Sequence, residues 1–360
     1  MTLLESITRK LKRDTKTALE KPSEFRKDVA YTIEGIQRGV VDPKDVAIRA
    51  LSTIATVVFV FVLLIPVYWV LLMALQGEGA TLYSSESAGL IPTDVTFEAF
   101  IWVIGDLYIP GAVVGIAIPF TGIEFFLSWP RVYFLQTADY GVEGSSNFTH
   151  YLRNSMFIGV ATVTIAMAMI VPAAYAFSRR EFYGRMKLLY GYVLFTQIGG
   201  GLGIAALIAL YAIFSNLGVT NNRLVLSIYY AAMAVPFNPW LLKTYMDSIP
   251  VSYEEAAVMD GASPFRVAWE IVLPLAKPGL ATIFIFIFLV GWMEFIIAQV
   301  VLRPENYTLP IGLFMMVEEF TVPWGRFSAF ALLYASPIVF IYLLAQRYIE
   351  SGLSFGGVEG

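Results

Sequence analysis

The 360-residue chain contains no cysteine, so it forms no disulfide, holds no thiolate-bound metal and offers no cysteine nucleophile. It has one histidine, His150, which leaves no imidazole cluster for zinc, haem or a proton relay. Charge is scarce too: 14% of residues are charged, about half the share usual in soluble domains. A formal net charge of -4 lacks the basic footprint of a nucleic-acid binder. Neither a G-x-x-x-x-G-K-[ST] phosphate loop nor an H-E-x-x-H metal motif occurs, which excludes ATP hydrolysis by a P-loop and zinc proteolysis. What is abundant is apolar: 58% of residues are hydrophobic and the mean hydropathy is +0.68, so much of the surface faces lipid.

Charge-free runs locate the bilayer, because a helix crossing about 30 Å of hydrocarbon needs roughly 20 apolar residues. Five such runs lie between Arg49 and Glu78, Arg153 and Arg179, Lys187 and Arg223, Arg223 and Lys243, and Arg326 and Arg347. A sixth, from Pro278 to about Ile297, carries one acid, Glu294, near its outer end. The run after Lys187 is too long for one span, so its helix is expected to end near Phe214, with SNLGVTNN as the turn. Six spans put both termini on one side. With that side inside, 19 of the 24 Lys and Arg fall inside; leaving out the long N-terminal arm, eight remain inside against five outside. The expected architecture is therefore an all-α, polytopic membrane protein of six transmembrane helices. It comprises a cytoplasmic arm (1–50), a first span (51–75), an enlarged extracytoplasmic loop (76–150), a core of five spans (151–349) and a cytoplasmic tail (350–360). An inner loop, 244–277, and an outer loop, 300–326, lie within the core.

The arm has no short apolar stretch of the kind that precedes cleavage, so no leader is expected. Phe25, Val29, Ile33 and Ile36 follow one helical face, which suits short helices on the membrane surface or a docking arm. Residues 107–129 are apolar but hold Pro110, Pro119 and Glu124, and a crossing there would invert everything downstream. They are expected to lie on the bilayer, to pack on a partner, or to form a re-entrant hairpin. Gly199, Gly200, Gly201 and Gly203 are expected to form a close helix-packing surface. Glu294 is either a gate residue or an interfacial acid facing water or an arginine. His150 is expected to be a solvated residue at the outer mouth of the second span.

The inner loop is heavily punctuated. Ser252 and Glu255 have capping-box spacing, and Pro250 before them keeps the entry extended. Gly261 suits a left-handed helix end, and Ser263 with Pro264 restarts a helix as N-cap and first residue, running to Leu273 and Pro274. The product is two short helices joined at a glycine bend under the membrane.

At these residues the chain resembles a known family. Glu255-Ala256-Ala257, then Asp260-Gly261-Ala262, then Ile271, Leu273 and Pro274 match the EAA-loop pattern of ABC-importer permeases. AYAFSRREFYGR at 174–185, LLAQRYIESGL at 343–353 and the terminal GGVEG resemble the MalG-type subunit of maltose and maltodextrin importers. The likeness covers about residues 50–105 and 148–360; the long arm and the insertion before the second span depart from it.

The resemblance implies the type I ABC importer (MetI-like) permease fold and a non-enzymatic role without cofactor or metal. Partners implied are a MalF-like second permease, two MalK-like ATPases and an extracytoplasmic sugar-binding protein delivering maltose, maltodextrin or a related sugar such as trehalose. Glu254, Glu255, Ala256, Ala257, Asp260, Gly261 and Ala262 would enter a groove of the ATPase. Gly356, Gly357 and Val358 would contact the ATPase dimer, unless the tail is merely frayed. Glu305, Asn306, Tyr307 and Thr308 would form the tip of a loop entering the binding protein, the alternative being an apolar loop resting on the bilayer. A self-contained secondary transporter would show repeated halves and midplane charges, and an intramembrane enzyme would show paired acids within spans; neither pattern is found. Because cysteine is absent, single cysteines report topology without background. A Tyr183→Cys variant is expected to react with an impermeant maleimide only from the inner side, and Glu143→Cys only from the outer side; the reverse overturns the orientation.

Overall fold

The computed structural model describes residues 42–76, 95–105, 107–109, 112–117, 124–129, 132–199, 203–317 and 322–355. Helix α1 (Pro43–Leu75) is followed by α2 (Glu98–Ile104) and strands β1 (Leu107–Ile109), β2 (Ala112–Ala117), β3 (Glu124–Trp129) and β4 (Val132–Leu135). Then come α3 (Phe148–Arg179), α4 (Arg185–Gly199), α5 (Gly203–Asn216), α6 (Arg223–Ala234), α7 (Asn238–Asp247) and α8 (Ser252–Met259). The last elements are α9 (Pro264–Leu275), α10 (Lys277–Met293), α11 (Ile296–Val301), α12 (Leu309–Phe314) and α13 (Trp324–Phe355).

The chain divides between Trp69 and Val70 into two compact units. In the first, α1 leaves nearly all its apolar side chains from Leu51 to Val67 exposed, a surface suited to lipid. The second unit is built around α3, which packs on α6, α7 and α10, while α10 packs in turn on α13. Ala166, Ile170 and Ala174 of α3 are buried with Leu242 and Met246 of α7, Ile283 and Ile287 of α10 and Phe330 of α13. Small residues let α3 and α10 approach closely. A Cβ on Gly291 would stand 3.3 Å from Gly159 Cα and 3.1 Å from Thr162 Oγ1. Between helices in lipid, close backbone approach and the dispersion contacts it allows replace the hydrophobic effect as the source of adhesion. Phe288, Trp292 and Tyr334 then stack in sequence across α10 and α13.

Among the described residues three helices are long and apolar enough to cross a membrane: Val46–Leu75, Phe148–Arg179 and Trp324–Gln346. Two bent pairs, α6 with α7 at 52° and α9 with α10 at 79°, meet the same criterion when each pair is taken together. The expected fourth span is thus broken, because Pro236 and Pro239 withdraw amides from its middle. The expected third span appears as α4 and α5, and residues 200–202 between them lie outside the described residues. Within the described residues Gly203 meets no neighbour: its φ is +47° and nothing stands within 4 Å of where its Cβ would be. Helix α1 begins at Pro43, inside the stretch assigned to the arm, and the periodic residues 25–36 lie outside the described residues.

Of the apolar stretch 107–129, residues 107–109, 112–117 and 124–129 are β-strands. β1 pairs antiparallel with β4, and β2 with β3. The pairs Tyr108↔Tyr133, Ala112↔Trp129 and Ala117↔Glu124 keep one register across these two two-stranded sheets; residues 110–111, 118–123 and 130–131 lie outside the described residues. Pro110 and Pro130 have no amide to give to a ladder. The helical framework stands, with these strands following α2.

A tight crossing yields a stability test. Gly279 opens α10 with its Cβ position only 2.6 Å from Tyr245 Cγ, whereas Gly191 in α4 has nothing within 4 Å. Gly279→Ala is expected to cost about 1–3 kcal/mol through overpacking, seen as a lowered thermal midpoint in detergent, with Gly191→Ala unchanged.

Candidate functional site

The inner connector begins where α7 ends. Tyr253 N donates to Pro250 O at 3.3 Å and Glu254 N to Val251 O at 2.9 Å, closing a turn that runs directly into α8. Val251 occupies the N-cap with helical φ -62° and ψ -24°, and no side chain caps this end. The expected Ser252–Glu255 capping box is therefore not formed. The backbone turn at Pro250 and Val251 already places Ser252 inside the helix, one residue past the position from which its hydroxyl could cap.

The other end forms as its residues require. Gly261 has φ +85°. Ala262 N donates to Ala257 O and Gly261 N to Val258 O, each at 2.9 Å. These are the two paired bonds of a Schellman close, and the left-handed position favours glycine. Ser263 Oγ then accepts from Arg266 N at 3.4 Å, a long capping bond, with Pro264 at the first position of α9. Val267, Val272 and Ala276 are buried on one side of the second helix. Their spacing of five and four would rotate an α-helix by about 140° at the first step. The π-helical stretch Val267–Val272 removes that rotation and keeps the three residues facing the core.

On α8 the seven expected coupling residues divide. Glu255, Ala256, Asp260 and Gly261 are exposed, and Ala257 and Ala262 are half-buried against the core. Glu254 is turned inward. It accepts from Arg179 Nε at 2.5 Å, with side-chain exposures of 10% for the arginine and 12% for the acid. Arg179 Nη2 also donates to Met246 O at 2.8 Å and Ile249 O at 3.0 Å. Beside it, Ser178 Oγ donates to Asp247 Oδ1 at 2.6 Å, and Asp247 pairs with Lys243. Sequence reasoning did not find Arg179. Its signal was a basic residue in the last turn of a span, where cations meet free helix carbonyls.

The outer residues Glu305 to Thr308 do not form a free tip. His150 Nε2 lies 2.8 Å from Glu305 O, and Asn154 Nδ2 donates to Tyr307 O at 3.0 Å. Asn221, at φ 59°, donates from Nδ2 to Glu305 Oε1 at 2.6 Å and accepts at Oδ1 from Arg303 N at 2.9 Å. Asn306 Nδ2 donates to Asn221 O at 2.9 Å, and Thr308 is buried. These residues are the braced base of the loop, with Glu305 alone exposed among the four; Met315 and Val317 are exposed farther along. His150 is half-exposed and bonded to this segment.

Glu294 is half-exposed and hydrogen-bonded within the chain. It sits in the break between α10 and α11, where Oε1 accepts from Ile297 N at 2.8 Å and Oε2 from Ala298 N at 3.0 Å. Tyr230 Oη donates to the same Oε2. The acid caps α11. Gly356, Gly357 and Val358 lie outside the described residues. Among the described residues no three His, Asp or Glu side chains converge to hold a metal.

Residues 150–355 match the binding-protein-dependent transport system inner membrane component family. The chain is 30% identical over 341 residues to the maltose/maltodextrin permease protein MalG of Yersinia pestis, covering 91% of this chain and all of that one. It is 37% identical over 218 residues to the galactooligosaccharide permease protein GanQ of Bacillus subtilis, covering 60% of this chain and 76% of GanQ. It is also 36% identical over 217 residues to the inner membrane ABC transporter permease protein YcjP of Escherichia coli, covering 59% and 75%. In fold it is similar to a chain of a bacterial ABC transporter involved in alginate import, with a TM-score of 0.63 at 22% identity over 86% of this chain and 98% of that one.

The outer junction depends on Asn221. Asn221→Ala is expected to open the 303–308 segment by about 1–3 kcal/mol. A cysteine at buried position 308 should then react with maleimide about tenfold faster per 1.4 kcal/mol; an unchanged rate removes Asn221 as the brace.

Proposed function

This chain belongs to the family of binding-protein-dependent transport system inner membrane components, and we propose that it couples ATP hydrolysis in partner subunits to the passage of an oligosaccharide. It is a multi-pass membrane permease subunit of an ABC importer for sugars, with the helical MetI-like fold and no catalytic role of its own. The observation that carries the coupling reading is the outward face of α8. Glu255, Ala256, Met259 and Asp260 are exposed on a helix closed sharply at Gly261, while its other side is fastened to the body of the protein. A short, rigid, acid-tipped ridge of this kind suits a groove with basic groups on a cytoplasmic ATPase.

In this reading a MalF-like permease completes the pore, two MalK-like ATPases receive α8 and the 356–358 tail, and both termini are cytoplasmic. An extracytoplasmic binding protein delivers the sugar against Glu305 and the apolar residues beyond it. The 151–349 stretch forms the translocating core, with 76–150 as its outer excursion. Maltose or maltodextrin, with trehalose beside them, is the substrate supported by likeness to MalG along that protein's full length. The identity to GanQ favours galactooligosaccharides as the second reading. A ligand screen on the cognate binding protein decides between them.

Gly261→Asp tests the coupling. Nothing stands within 4 Å of the Cβ position, so the cost arises in the backbone at φ +85°, on the order of 1–2 kcal/mol, and in a charge placed at the docking bend. Membrane insertion and protein level are expected to be retained and ATP-dependent sugar uptake lost. Full uptake by this variant, or uptake without an ATPase partner, overturns the coupling role.

A further inference from the structure

We propose that Arg179 is a positioning residue that makes the core span α3 and the helix α8 move as one body. The inference rests on the coupling role of α8 and names the part that transmits its motion. The guanidinium stands where three helices meet. It is the last residue of α3, and its fork reaches Glu254 of α8 together with the Met246 and Ile249 carbonyls at the end of α7. Each contact is favourable at its place, since a cation belongs beside a helix C-terminus and an acid belongs in a first turn.

The geometry favours transmission over mere adhesion. A fork with three acceptors in different directions resists both sliding and rotation, which a single apolar contact does not. At 10% and 12% side-chain exposure, water does not substitute for either partner. Ser178, hydrogen-bonded to Asp247, adds a second tie between α3 and α7 one residue away. A push on the outer face of α8 is therefore delivered to the inner end of the span that organises the core.

The test uses the complete transporter in proteoliposomes, with its second permease, ATPases, binding protein and sugar. Arg179→Lys keeps the charge and loses the fork; Glu254→Gln keeps an acceptor and loses the charge. Both are expected to assemble with the ATPases at wild-type yield and to consume at least about 5-fold more ATP per sugar, the lower end of ordinary coupling between sites. Because the chain has no cysteine, spin labels placed on Met169→Cys and Tyr253→Cys before the partners are added report the α3 to α8 distance alone. That distance is expected to stay fixed through the ATP cycle in the parent and to become nucleotide-dependent in both variants. Unchanged stoichiometry and unchanged distances overturn the proposal, as does loss of assembly in both variants, which assigns the pair to folding. A parent chain that never associates with an ATPase sinks the coupling role instead. The label distance in the isolated chain then still decides the clamp, because removing the fork should broaden it.

Discussion

Lipid offers no hydrogen bonds, and that constraint governs where this chain can bend. Every interruption of a span frees backbone groups that only the protein can satisfy. Where α6 gives way to α7, Asn238 Nδ2 donates to Ala234 O at 2.8 Å and covers a carbonyl left without its helical amide. Where α10 gives way to α11, Glu294 receives the two amides that open the new helix, and Tyr230 fixes its second oxygen. At the inner end of α7 the Met246 and Ile249 carbonyls accept from Arg179. These polar residues serve the breaks.

This accounts for how much of the structure could be read in the sequence. Features set by one residue's backbone preference were legible: the left-handed end at Gly261, the restart at Ser263 and Pro264, and the long spans of α3 and α13. Features set by which neighbour a residue meets were not. Ser252 had the spacing of a cap but was displaced by a turn already formed at Pro250 and Val251. Glu294 had the composition of a gate and turned out to serve two amides. Glu305 to Thr308 had the polarity of a tip, and the sequence did not show that Asn154 and Asn221 brace them from remote parts of the chain. The paired strands within 107–135 were hidden because prolines interrupt the sequence and an apolar run reads alike as strand or span.

The two ends of the core are joined differently, and the difference suits their tasks. The outer junction consists of amide side chains bonded to carbonyls, with Asn221 and Asn154 at its centre and one exposed acid. Its neutral bonds are each worth about 1 kcal/mol, those to Glu305 and Arg223 about 1.5–3 kcal/mol, and the exposed ones can be exchanged for water when a loop lifts. The inner junction consists of a largely buried ion pair whose partners lose their solvation and so do not part cheaply. On the proposed coupling role, an outer loop able to yield and an inner joint that holds suit a machine driven from the inside and loaded from the outside.

The pair Glu254 and Glu255 shows how compactly the inner joint is encoded. Consecutive residues on a helix point about 100° apart, so two adjacent acids cannot face the same partner. One of them is buried against Arg179 and the other is exposed on the outward face. If both acids faced outward, α8 would dock without being fastened. If both faced inward, it would be fastened without an acidic handle, and two carboxylates would compete for one guanidinium. A doubled acid at the start of a short helix is therefore the least sequence that both anchors the helix and leaves it a charged face.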